Sequence, residues 1–563
     1  MAPRGCTSGR CSSRKVNVRF IQSLTPACAL PKGKLAAQRH SSGNRRPTKN
    51  PRPKLHICRI MQRMHRPHKP AAHRRISFIA LAVALAAQTL PAIAEVLQPA
   101  PLTIAINTAA KTLNPAIASD AAAARLLQLT HPALLRWNDH YQPIGLAAQS
   151  CTQTAPQTIT CTLKPNLTYT NHTPATAQTM QQWFTHLQTT PQSPFATPLK
   201  GVTITAPTST TLTFQLPSPT ISFLATLTEI PLANPQNPQH GLGPYVISST
   251  NTLGTTVLAT TQPNLPPALT FMPVADATTR LLKLKNHEVD MVLNDTPPEL
   301  VNWAKNQGYP TLTIPSTSYT YLGLNFHNET LANPQVRQAL ALALNRPLIR
   351  EKLLGGIAEP AQSLLPSGHP ARWNAPEDVT DPFSAETLLD EENLLPDGQG
   401  IRLRLTLLTS TEAFSQRLAQ VLQAQLAKVG VEVTLRPAEW ASFFGAVQKG
   451  QFDMVLLTWT GELQPHFYHQ AFHSSQTPPN GFNRGYVKDA TTDTLTSQIL
   501  QAKTPAEQTQ ATRQLQHHLA QLLPYIPLYT RHNTLITAQN IQGCQLSKNG
   551  TYQSLLPCRK TPK

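Results

Sequence analysis

YLGLNFHNETLANPQVRQALALALNR, residues 321–346, changes rhythm part-way along. At its start, Tyr319, Tyr321, Gly323 and Asn325 alternate with Thr320, Leu322, Leu324 and Phe326, the two-residue period of a strand. From Asn333 onward the apolar residues are Val336, Ala339, Leu340, Ala343 and Leu344, which share one face of a helix. Asn333 suits an N-cap, Pro334 the first helical position, and Arg346 the last turn, where a cation complements the helix dipole. The spacing predicts a strand feeding a helix that packs on a sheet.

Working outward, the same alternation recurs. IRLRLTLL (401–408) precedes a helix carrying Phe414, Leu418, Val421, Leu422, Leu426 and Val429 on one side, Gly430 ends it, and VEVTL (431–435) alternates again. That is a βαβ unit, with parallel strands and a right-handed crossover. QFDMVLLTW (451–459) adds a buried strand after a helix over Trp440–Val447. The fold class is therefore α/β with mixed sheets.

The formal charge of +20 is confined to one end. Residues 1–94 hold 19 of the 48 Lys and Arg and none of the 28 Asp and Glu, leaving 29 against 28 in the rest. Nucleic acid is thereby excluded as the partner of the folded part. His73-Arg74-Arg75, the apolar run ISFIALAVALAAQTLPAIA (76–94) with Ala92-x-Ala94, and then Glu95 describe a signal peptide over 64–94, hence export to the periplasm. The run is too short to span a membrane comfortably. Residues 1–63 are basic and show no hydrophobic period, so they are expected not to pack. They are either a disordered arm or a stretch upstream of a start at Met61 or Met64. Since a signal peptide belongs at a true N-terminus, the second reading is preferred.

The exported part, 563 less 94 residues, is too long for one core and suits two or three units. It carries Cys151, Cys161, Cys544 and Cys558. Alternating segments around the first two read as a hairpin, and the last two flank a turn-like Lys548-Asn549-Gly550. Two local disulfides are expected, with other pairings and free buried thiols left open. No catalytic motif emerges: there is no Gly-x-Ser-x-Gly, no His-Glu-x-x-His, no phosphate-cradling glycine loop and no exported Cys-x-x-Cys. No catalytic residue, metal or cofactor is expected.

With these residues in view, the chain resembles the bacterial extracellular solute-binding proteins of family 5, the peptide/nickel-type periplasmic substrate-binding proteins of ABC importers. TLNPA (112–116), HPALLRWNDHYQPIGLAAQS (131–150), YTNHTPATAQTMQQW (169–183), GLGPY (241–245) and NHEVDMV (286–292) follow in family order. In the third block His172-Thr173 stands where the family has Asp-Gly. The opening stretch matches the pattern "Y.gLNf...rVRqAla.Ai.R", and FDMVLLTWTGELQP (452–465) and LPYIPLY (523–529) continue the series.

The resemblance implies a two-lobed periplasmic-binding-protein fold of type II, the large peptide-binding subclass, hinged and closing over a ligand. It implies lobe 1 over 95–265, lobe 2 over 266–515, and a return to lobe 1 with a tail over 516–563. It further implies a monomeric receptor that captures a peptide or similar small solute and hands it to an inner-membrane ABC permease, without being an enzyme. Alternatives are the same fold taking haem, a metal chelate or an opine-like solute, or a secreted enzyme or binding module acting without a permease.

Trp459-Thr460-Gly461-Glu462 aligns with the family's Trp-x-x-Asp, which implies that Glu462, one methylene longer than the family's acid, meets the ligand's amino group beside Gly461. Trp459 is either a cleft wall or core. Tyr245 and Asn325 are candidates for the lining, with a structural role preferred for both. Arg484 and Arg372 are substitutes for the arginines that meet a ligand carboxylate in some relatives. His466, His469 and His473 share a helix face, and ordinary polar-face residues are expected there rather than metal ligands.

Overall fold

The computed structural model describes residues 99–561 other than 261, 377 and 378. The extension and signal peptide expected over 1–94 lie outside the described residues. The framework consists of β1 (Leu102–Ile106), β2 (Met291–Leu293), β3 (Tyr319–Leu324), β4 (Leu403–Ser410), β5 (Met454–Trp459) and β6 (Tyr525–Thr537). Two helices matter most for the site and its support, α1 (Pro334–Ala343) and α2 (Ala413–Leu426).

All six residues of β3 are buried, so the alternation read in the sequence separates two covered faces rather than core from solvent. Leu322 and Leu324 join the core under α1 and α2, while Tyr319 and Tyr321 enter an aromatic core on the opposite face. Asn333 caps α1 by accepting the Gln335 N–H. The helix ends at Ala343, and Arg346 begins a separate short turn, Arg346–Leu348. The βαβ unit is present as well. β4 pairs in parallel with Val431–Ala438, and Gly430 between them adopts φ 77°, a conformation costly for any side-chain-bearing residue.

A twelve-stranded sheet runs Val431–Ala438, β4, β5, β3, β6, β2, β1, Ala268–Pro273, Thr256–Ala259, Val246–Thr250, with Thr311–Pro315 and Ala358–Glu359 also on β6. β6 is the thread between its halves. Tyr525–Tyr529 pairs with β3, Thr530 and Arg531 with Ala358–Glu359, His532–Ile536 with Thr311–Pro315, and Leu535–Thr537 with β2. A separate four-stranded sheet, containing Ala148–Ala155 and Thr158–Leu163, packs its own core around Trp183 and Phe214.

Residues 268–304, assigned at sequence level to the second lobe, pack with the first. Ala268–Pro273 lies parallel beside β1, and Leu269, Phe271, Met291 and Val301 share the core of Leu102 and Ile104. Alternation marks a strand as buried without saying which strand it will lie beside. After β6 the chain returns to that core through Ile541, Tyr552, Leu555 and Cys558. Cys151 pairs with Cys161 directly across the hairpin, Cα–Cα 4.0 Å, and Cys544 with Cys558, Cα–Cα 4.3 Å.

One buried cation locks the opening stretch to its neighbours. Arg337 on α1 is 1 % exposed and lies 4.3 Å over the Phe326 ring. Its Nε donates to Leu522 O (2.7 Å), and its Nη1 to Leu331 O (2.9 Å) and Ala332 O (2.6 Å). All three carbonyls close the ends of helices, Glu329–Ala332 and Pro505–Leu522. Burial pulls the Arg337 pKa down to about 10, still far above neutrality. Arg337→Met keeps the stem's packing but strands these carbonyls, and is expected to cost roughly 3 kcal/mol in urea unfolding. A loss under about 1 kcal/mol would mean that water replaces the guanidinium.

Candidate functional site

A cleft of about 1090 Å³ opens along the middle of β6. Ser316, Ser318, Thr320 and Arg531 form part of its floor, Thr228 and Glu229 one wall, Ser410, Glu412, Phe414, Thr460 and Gly461 another, and the disulfide-closed segment 545–554 an end. The floor is polar because β3 stops at Tyr319 and the chain before it turns to hydroxyls. Thr320 Oγ1 and Thr458 Oγ1 are 2.9 Å apart, and Ser316 Oγ and Ser318 Oγ 2.8 Å apart. Trp440, 61 % exposed, heads the helix Trp440–Gln448 and offers an aromatic face to the cleft.

Glu229 on one wall and Glu462 behind another lie within reach of each other's charge. Glu229 follows the short helix Phe223–Thr226 and remains open to cleft water, although protein surrounds it closely enough to push its carboxyl upward. Gln464 reaches across and donates Nε2 to Glu229 Oε1 at 2.8 Å. Glu462, partly buried, is raised to about 8, first by burial and then by the charge of Glu229. An acid raised by burial beside a second carboxylate favours a proton or a nearby cation.

Of the residues singled out from the sequence, Gly461 lines the cleft and Glu462 stands just behind it, within reach of Glu229's charge. Trp459, 9 % exposed, turns to the other face of β5, where it meets Phe467 edge-on at 4.9 Å. The Arg484 guanidinium lies 4.3 Å over that indole, also outside the lining. Tyr245 is buried and donates its hydroxyl to Pro266 O at 2.8 Å. Gly243, beside it, presses on Leu129 O so closely that a Cβ would sit 2.2 Å away, which explains the glycine of that block. Asn325 donates to Gly450 O (3.0 Å) and Phe452 O (2.8 Å), tying the end of β3 to the turn before β5. Arg372 donates to Leu365 O and Gln362 Oε1. The His469 and His473 rings lie tilted with centroids 4.4 Å apart, His466 is pulled down to about 4 by burial, and no group of three metal-ligating side chains is assembled among the described residues.

Sequence reading missed Glu229, Arg531, Phe414 and the 545–554 segment as cleft residues, and Gln464 as the partner of Glu229. Only Arg531 left a local trace, a cation inside the strand pattern YIPLYTRHNTLIT. The others become neighbours through chain separations that no spacing reveals.

A two-lobed α/β body with a polar cleft on a crossing strand matches one known model, that of the bacterial extracellular solute-binding proteins, family 5 Middle, over residues 142–479. The chain belongs to that family. It is 29% identical over 296 residues to the glutathione-binding protein GsiB of Escherichia coli K12, covering 50% of this chain and 56% of that one. The chain thus spans about half the length of the curated relatives it matches. Among solved structures it is similar to the ABC transporter substrate binding protein CtaP of Listeria monocytogenes, with TM-score 0.74, 21% identity, and coverage of 83% of this chain and 100% of that chain. It is also similar to NikZ of Campylobacter jejuni in complex with Ni(L-His), with TM-score 0.70, 21% identity, and coverage of 82% and 99%. These structures share the type II fold with this family member. Among the described residues no helix is long and apolar enough to cross a membrane.

The raised Glu462 carboxyl makes stability depend on pH. Below about pH 4.5 it is neutral whether the ligand-free chain is folded or unfolded, and there is no cost. Between 4.5 and about 8 the folded protein holds a proton that the unfolded chain has released, so stability falls as pH rises and then levels off. Wild-type Tm is expected to drop more between pH 5 and 8 than that of Glu462→Gln. Parallel Tm profiles would remove the acid from this corner.

Proposed function

We propose that this chain is the substrate-binding component of an ABC importer, capturing a short peptide or similar amine-bearing solute between closing lobes and delivering it to an inner-membrane permease. The observation that carries this reading is the cleft wall at Glu229 and Gly461, with Glu462 just behind it and within reach of Glu229's charge. An ammonium placed between the two carboxylates would satisfy both and draw the two walls together, so that binding favours the closed state. Hydroxyls of Ser318, Thr320 and Thr458 offer a sequence-tolerant floor for a peptide backbone. No bond is made or broken. The family's extracellular members and the glutathione-binding relative support a periplasmic receptor for small peptides, with residues 64–94 as the export signal.

The reading is tested through its proton. With its pKa near 8, Glu462 is largely protonated at pH 7 in the empty cleft and must release the proton when an ammonium arrives. Titration calorimetry of glutathione and of tri-alanine at pH 7, in buffers of different ionisation enthalpy, is expected to show release approaching one proton per ligand bound. Glu462→Gln should abolish the release and weaken binding by roughly 1–3 kcal/mol. Unchanged affinity without proton release in either protein would refute the amine site.

A further inference from the structure

We infer that the two lobes carry their own latch, which holds the protein closed before any ligand arrives. Its clasps are the hydrogen bonds of Gln508 to Ser222 and of Gln464 to Glu229, the ring contact of Tyr141 with His369, and the ion pair of Arg417 with Glu299. This rests on the lobes closing over the cleft, as proposed above, but it needs no ligand contact.

Each clasp joins bodies that have separate cores. Ser222 and Glu229 bracket a segment whose Phe223 and Leu227 pack with Trp183 and Phe214, and Tyr141 sits in the turn of a hairpin whose Leu135 joins the same core. Opposite them, Gln508 lies on the helix Pro505–Leu522, which buries Ala511 and Leu515 in the aromatic core of Tyr321. Gln464 falls between Trp459 and Phe467 of that core, and His369 between Leu365 and Ala371. Glu299 belongs to the helix Pro298–Asn306, whose Val301 and Ala304 pack with Leu102. Arg417 is on α2, whose Leu418 packs with Leu322.

The clasps are short in reach. Ser222 makes no side-chain cap on the helix it precedes, and its Oγ accepts Gln508 Nε2 at 3.1 Å instead. Buried Gln464 donates to Glu229 at 2.8 Å. Tyr141, at φ 57°, is held by Asn138, which accepts the Tyr141 N–H on its carbonyl and the Gln142 N–H on its side chain. Its ring centroid lies 5.7 Å from that of His369. Arg417 Nη2 donates to Glu299 Oε1 at 2.6 Å, with both side chains about half exposed. Such contacts fade within about an ångström of extra separation, so a small parting of the lobes breaks them together and closure is two-state. Singly each is weak. Jointly they set how much of the empty protein is already in the form that a ligand selects.

The test uses Gln508→Ala combined with Arg417→Gln, since neither these residues nor their partners Ser222 and Glu299 line the cleft. X-ray scattering from ligand-free wild type is expected to follow the curve calculated from the closed structure. The double variant should show a larger radius of gyration, while Gln510→Ala, exposed on the same helix, should match wild type. Calorimetry should find glutathione binding weakened about tenfold in the double variant, through the smaller closed fraction alone. If the double variant opens but neither protein binds glutathione or tri-alanine, the amine reading fails and the latch stands. A ligand-free wild type as extended as the double variant, or a double variant as compact as wild type, overturns the latch. An opened variant that binds glutathione within twofold of wild type overturns its coupling to affinity.

Discussion

A single strand with two sets of partners holds this molecule together. β6 is thirteen residues long, its first part hydrogen-bonded to β3 and its last to β2 and Thr311–Pro315. Buried backbone groups must be paired, so neither half can be withdrawn without stranding a ladder of donors and acceptors. The place where one ladder gives way to the other is the place where side chains can leave the core. Thr530 and Arg531 pair there with the short edge Ala358–Glu359, and the cleft opens above them.

That position also accounts for the cleft's chemistry. On one face of β3 and β5 the residues Tyr321, Trp459, Phe467 and Phe472 build an aromatic core, and Arg484 lies against it as a stacked cation. On the other face the apolar rows of Leu322 and Leu456 run out into Thr320 and Thr458. Hydroxyls tolerate either a ligand backbone or water, and charged groups, Glu229 and Arg531 among them, also line the cleft.

The disulfides divide along the same lines. Cys151–Cys161 staples a hairpin in the separate small sheet, far along the chain from any cleft residue of β6. Cys544–Cys558 closes a segment that is itself a cleft wall, so its cross-link restricts the site as well as the unfolded chain.

Local patterns in the sequence specified the strands and helices well: the β3-to-α1 stretch, the βαβ unit around Gly430, the cysteine hairpin, and a chain nearly neutral beyond residue 94. Period and capping are local physics, and they can be read over a few turns. Motif position pointed to Gly461, which lines the cleft, and to Glu462 just behind it, but also to Trp459 and Arg484, because alternation along β5 decides which face a side chain takes and the motif does not. Only the folded chain could make 268–304 a neighbour of β1, set Glu229 against Glu462, and lay Arg531 on Phe414. Those contacts depend on which strand pairs with which, and pairing across hundreds of residues is settled by the burial of whole faces together rather than by any short run of sequence.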